Sequence, residues 1–76
     1  MTEEVLVGIR EEVPGTGYII HGILKSDTES RVDLSLVSGA KKGRKIIPGQ
    51  TIKLGKKKVT LVRIAMEIQK AYFKIN

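Results

Sequence analysis

The feature that most constrains this chain is the spacing of its turn signals. They fall at Pro14-Gly15-Thr16-Gly17, Ser26 to Ser30, Ser38 to Gly43, Pro48-Gly49 and Gly55, with short apolar-rich stretches between them. Strands of five or so residues fit these intervals. Short strands at such intervals predict a small barrel or sandwich.

The stretches themselves read as strands. The first covers about residues 4–12, where Val5, Val7 and Ile9 alternate with Leu6, Gly8 and Arg10. The second, about 18–25, is apolar on both faces, and Gly22 inside it marks a bulge or a close backbone approach. The third, about 31–37, alternates Val32, Leu34 and Leu36 with Arg31, Asp33 and Ser35, so one face is wet. Ile46 and Ile47 begin a fourth. Pro48-Gly49 has the residues of a type II turn, and Thr51 to Leu54 leads into a hairpin tip at Gly55-Lys56-Lys57-Lys58. The next strand is about 59–65. Val59 and Leu61 share one parity while Val62, Ile64 and Met66 share the other, so a bulge near Leu61-Val62 switches faces or both faces are covered.

Two readings compete for the C-terminus. As a strand, Ala71, Phe73 and Ile75 face inward, with Tyr72 and Lys74 outward. As a helix, Ile64, Ile68, Ala71, Tyr72 and Ile75 form an amphipathic stripe. No capping residue precedes the stretch closely, Thr60 being the nearest, so the strand is preferred.

The expected fold is all-β: a small barrel or twisted antiparallel sheet of about five to six strands, SH3-like or OB-like in size, with a short C-terminal helix as the alternative ending. Its expected core is Val5, Val7, Ile9, Ile20, Leu24, Val32, Leu34, Leu36, Ile47, Ile52, Leu54, Leu61, Ile64 and Phe73. At 76 residues the chain is expected to form one domain, residues 1–76. Such a chain buries only about 60% of its unfolded surface, so its stability is a few kcal/mol unless a partner adds buried area.

Composition excludes several classes of site. There is no cysteine, hence no disulfide and no thiolate zinc site. No run reaches the roughly 18 apolar residues of a membrane span. The start, Met1-Thr2-Glu3-Glu4, is acidic, unlike a signal peptide, and the expected location is cytoplasmic.

Catalytic constellations are equally sparse. His21 is the sole histidine and lies in an apolar strand without an adjacent nucleophile. Glu11-Glu12 points to opposite faces of a strand, which makes a poor chelate, and Asp27-Thr28-Glu29 reads as a turn. Pro14-Gly15-Thr16-Gly17 lacks the Gly-Lys-Ser/Thr ending and the following helix of a phosphate loop. The expectation is therefore no enzyme, no cofactor, no metal and no catalytic residue.

Charge is the informative feature that remains. Residues 1–40 carry Arg10, Lys25 and Arg31 against seven acids, a net of −4, whereas residues 41–76 carry eleven basic residues against Glu67 alone, a net of +10. Lys41, Lys42, Arg44 and Lys45 form one cluster and Lys56, Lys57 and Lys58 another, with Lys53 and Arg63 adding to them and Lys70 and Lys74 following. If residues 45–54 formed one straight strand, the clusters would lie about 30 Å apart. If Pro48-Gly49 reverses the chain, they come to the same end of the domain.

The expected function is a non-enzymatic module contacting nucleic acid or another polyanion, with Lys41, Lys42, Arg44, Lys45, Lys53, Lys56, Lys57, Lys58 and Arg63 as candidate contacts. Aromatics are few, namely Tyr18, Tyr72 and Phe73, so phosphate contacts are expected over base stacking. The alternative is a protein-interaction or assembly subunit, a homo-oligomer or a partner of another protein. It would use apolar surface on residues 59–66 or an open strand edge. On that alternative the lysines are solvated hairpin tips.

Overall fold

A computed structural model of the chain describes residues 4–39 and 43–76. The described residues form eight strands: β1 (Glu4–Gly8), β2 (Glu12–Val13), β3 (Tyr18–Lys25), β4 (Ser30–Leu36), β5 (Arg44–Ile46), β6 (Thr51–Leu54), β7 (Lys57–Ala65) and β8 (Lys70–Ile75). They make two antiparallel four-stranded sheets, in the orders β1-β8-β7-β6 and β2-β3-β4-β5, one of them curled as a half-barrel. The all-β class and the antiparallel pairing hold, with two sheets and eight strands where a barrel or sheet of about five to six strands was expected. Two short strands account for much of the difference: β2 has two residues and β5 three, too few to show an alternation in sequence.

The chain starts in the first sheet, builds the whole of the second with β2 to β5, and returns to finish the first with β6 to β8. The expected first strand breaks because Arg10 takes a positive φ of 68°. That residue and its neighbour stitch the sheets together: Arg10 N donates to Ile20 O (2.8 Å), and Ile20 N donates to Glu11 O (3.1 Å).

Proline and glycine set the corners. At 13–16 Thr16 N donates to Val13 O, with Pro14 and Gly15 (φ 76°) between them, the residue order of a type II turn. The same arrangement recurs at 47–50, where Gln50 N donates to Ile47 O around Pro48 and Gly49 (φ 87°).

Both expected bulges are present. The β3–β4 register shifts between Ile20 and Gly22, and the β7–β8 register shifts between Leu61 and Arg63. The second bulge lets Leu61 and Ile64, of opposite parity, both point inward opposite Phe73 and Ala71.

Strand β8 decides the C-terminus against a helix. Helical structure there is one 3-10 turn, Met66–Ile68, with no side-chain cap and with Gln69 in the left-handed region (φ 53°) closing it. The ladder with β7 resumes at Lys70. Pairing with both β1 and β7 satisfies the backbone of β8 on either side, an arrangement that outweighs the helix propensity of the segment.

The core lies between the sheets. Val7, Leu54, Val59, Leu61, Ile64, Ala71 and Phe73 of the first sheet meet Val13, Ile20, Val32, Leu34 and Ile46 of the second in one cluster. Two expected core residues are exposed, Ile9 at 39% and Ile47 at 52%. Ile9 sits where the chain leaves β1 for the Arg10 corner, and Ile47 follows the inward Ile46, so alternation turns it to solvent. Leu24 and Leu36 are half-buried, and Val5 and Ile52 pack at the margin of the cluster.

Candidate nucleic-acid interface

Strand alternation places the basic side chains once the inward residues are known. On β6, Leu54 is buried and Ile52 packs on the core, so Thr51 and Lys53 face outward. On β7, buried Val59 and Leu61 turn Lys58 and Thr60 outward, and after the bulge Arg63 is outward beside buried Ile64. On β8, buried Ala71 and Phe73 turn Lys70, Tyr72 and Lys74 outward. On β1, Glu4 and Leu6 complete the same surface.

The pairing registers arrange these residues in rows. Lys53 is opposite Lys58. In the next row Thr51 faces Thr60, their hydroxyls 2.6 Å apart, then Lys74 and Glu4 follow. In the third, Arg63 faces Tyr72, and Tyr72 faces Leu6. Lys70 opposes Gly8 beyond them. Among the described residues, the outer face of the first sheet therefore carries Lys53, Lys58, Arg63, Lys70 and Lys74 against Glu4 and Glu11, whose carboxylate accepts from Gly8 N at 2.6 Å and lies over Gly8 beside the Lys70 side chain. Lys53 and Lys58 are like charges directly across a ladder, an arrangement that costs stability.

The turn at Pro48-Gly49 reverses the chain. Arg44 Nη1 donates to the Lys53 carbonyl oxygen at 3.2 Å, tying the β5 edge of one sheet to the β6 edge of the other. The 44–45 and 53–58 segments therefore lie at one end of the domain. Lys56 occupies the β6–β7 tip beside Gly55 (φ 63°), and the Lys57 side chain lies against Gly15. Lys41 and Lys42 fall outside the described residues.

Lys45 does not share the face of Lys53. It neighbours inward Ile46, so it points out of the second sheet, where it opposes Asp33. Around it is an open hollow of about 710 Å³ lined by residues including His21, Arg31, Asp33, Ser35, Arg44 and Lys45. Arg31 is its ion-paired cation among the described residues. Arg31 hydrogen-bonds Glu29 and Asp33, and the Glu29 carboxylate, with help from Asp33, raises the Arg31 pKa above its ordinary value. Lys45 has Asp33 across the ladder. Arg31, Arg44 and Lys45 against Asp33, with Glu29 beside Arg31, leave this surface less basic than the other.

His21 is exposed at the β3 bulge. Among the described residues no three His, Cys, Asp or Glu side chains converge as a metal site, and no helix is long and apolar enough to cross a membrane. The 14–17 segment is a turn with a buried threonine at its centre. Thr16 Oγ1 donates to Val13 O at 2.7 Å and accepts from Tyr18 N at 3.1 Å.

Tyr72 is the site residue that charge counting passes over. The Arg63 guanidinium carbon stands 4.0 Å from its ring centre. A C-terminal strand with Tyr72 outward was legible, but its partner depends on the bulge, which sets Arg63 opposite Tyr72. No family model, characterised protein or solved structure matches the chain.

Proposed function

We propose that this domain is a non-enzymatic binding module that holds nucleic acid, or another polyanion, on the outer face of the β1-β8-β7-β6 sheet. One observation carries the reading. The charge asymmetry along the chain becomes an asymmetry between layers, because β6, β7 and β8 put Lys53, Lys58, Arg63, Lys70 and Lys74 on one face, where the acids among the described residues are Glu4 and Glu11. A face with a net positive charge attracts a polyanion over distance and gains by counterion release on contact. Lys56 stands at the β6–β7 tip at one end of it, whereas Lys57, opposite inward Leu54, and Arg44 and Lys45 of β5 lie off that face.

The test is binding to a labelled oligonucleotide at several salt concentrations, followed by fluorescence anisotropy. Lys53→Gln with Lys58→Gln should weaken binding and flatten the salt slope by about 0.7 to 0.9 per lost contact. Lys45→Gln should leave both nearly unchanged. Absence of binding even at about 50 mM salt would remove the reading.

A second reading, an assembly module, is favoured by one observation. The Gly8–Lys70 pairing brings exposed Ile9 to the end of the sheet that holds exposed Met66 and Ile68. Sedimentation of the free protein separates the two: a concentration-dependent oligomer broken by Ile68→Lys supports assembly.

A further inference from the structure

We infer that the polyanion is a single-stranded nucleic acid, one base of which stacks on the guanidinium of Arg63 where it lies over Tyr72. The inference rests on the proposed basic face and specifies its ligand. Lysines alone would suit any polyanion, but this face also has a planar element at its middle.

Tyr72 sits on β8, between β1 and β7, flanked by Leu6 and Arg63. Its ring is half-buried and its upper side carries the Arg63 guanidinium, 4.0 Å from the ring centre. The stack holds the guanidinium as a flat cationic plate. Such a plate offers its far side to a base, since bases stack on arginine planes as they do on aromatic rings. Lys74 lies two residues along β8 on one side and Lys70 two residues on the other, each displaced about 7 Å along the strand. A backbone crossing the plate therefore meets a cation on either side of the stacked base, and Lys58 and Lys53 continue the positive track.

A duplex cannot use this arrangement. Its bases are stacked on one another, and the plate lies within a sheet face, without a projecting helix or ribbon to enter a groove. A single strand has free base faces, and stacking tolerates any sequence. The lysine rows alone would bind a duplex or a single strand through phosphates, so the preference between them reports on the plate.

The experiment uses the intact protein with oligo-dT, oligo-U and a blunt duplex of equal phosphate number at about 50 mM salt. With no tryptophan and two tyrosines, Tyr18 and Tyr72, intrinsic fluorescence reports on the site. Both single strands should bind about tenfold tighter than the duplex and quench the emission. Arg63→Lys keeps the charge but removes the plate, and should lower single-strand affinity about tenfold with the salt slope unchanged. Tyr72→Leu should do the same and abolish the quenching. The lysine variant keeps the test valid if Tyr72→Leu fails to fold. Lysine-dependent binding that is indifferent to Arg63→Lys, or that favours the duplex, would overturn this inference and leave the basic face standing. No binding by any of the three ligands would overturn both.

Discussion

Lys53 and Lys58 stand directly opposite each other on the outer face of the β6–β7 hairpin, with no acidic residue between them in the ladder. A hairpin selected for stability alone would put opposite charges there, because facing like charges destabilise a ladder. The fold tolerates a local repulsion that a bound phosphate would relieve.

Lys53→Glu should therefore separate stability from binding. The variant gains a favourable cross-strand pair with Lys58, and urea unfolding should show a stability increase of about 0.2–1 kcal/mol. Oligonucleotide affinity should fall at the same time. A variant destabilised by the change would show that Lys53 has a structural part that its outward position does not reveal.

Thr16 should be the most sensitive polar position in the turns. Its hydroxyl is buried and bridges Val13 O and Tyr18 N, holding the β2–β3 corner. Thr16→Ala leaves both groups without that partner and should cost about 1–3 kcal/mol by urea denaturation. Thr16→Ser keeps the hydroxyl and should recover most of the loss. Equal effects of the two would assign the residue's importance to its methyl group.

His21→Ala should change stability by less than about 0.5 kcal/mol, since the residue is exposed at a bulge. Oligonucleotide binding should also be unaffected, because His21 belongs to the second sheet, away from the basic face. A large loss of affinity would move the binding surface to the hollow beside Lys45.

Much of the fold was legible because its turns are built from residues with few alternatives. Pro48-Gly49 could do little but turn, and the parity change between Leu61 and Ile64 required a bulge in any strand buried on one face. The assignment of strands to the two sheets was not legible. It depends on β5 and β6 pairing with different partners, and nothing in Arg44 to Leu54 distinguishes a hairpin within one sheet from a corner between two. The exposure of Ile9 and Ile47 follows from such corners, which change the inward parity without a change in composition.

The candidate site divides in the same way. That residues 41–76 are basic was plain, but the faces of Lys45 and Lys53 follow from their sheets and could not be separated beforehand. Tyr72 appeared as one outward aromatic among few. Only the register across the bulge shows that Arg63 lies over it.

The most direct test of the basic face is an amide chemical-shift titration with a short single-stranded oligonucleotide. The perturbed amides should cluster in Thr51 to Lys53, Lys58 to Thr60, Arg63 and Lys70 to Lys74, and those of His21, Asp33 and Lys45 should stay in place. Shifts concentrated around His21, Asp33 and Lys45, or no shifts at about 50 mM salt, would contradict the account.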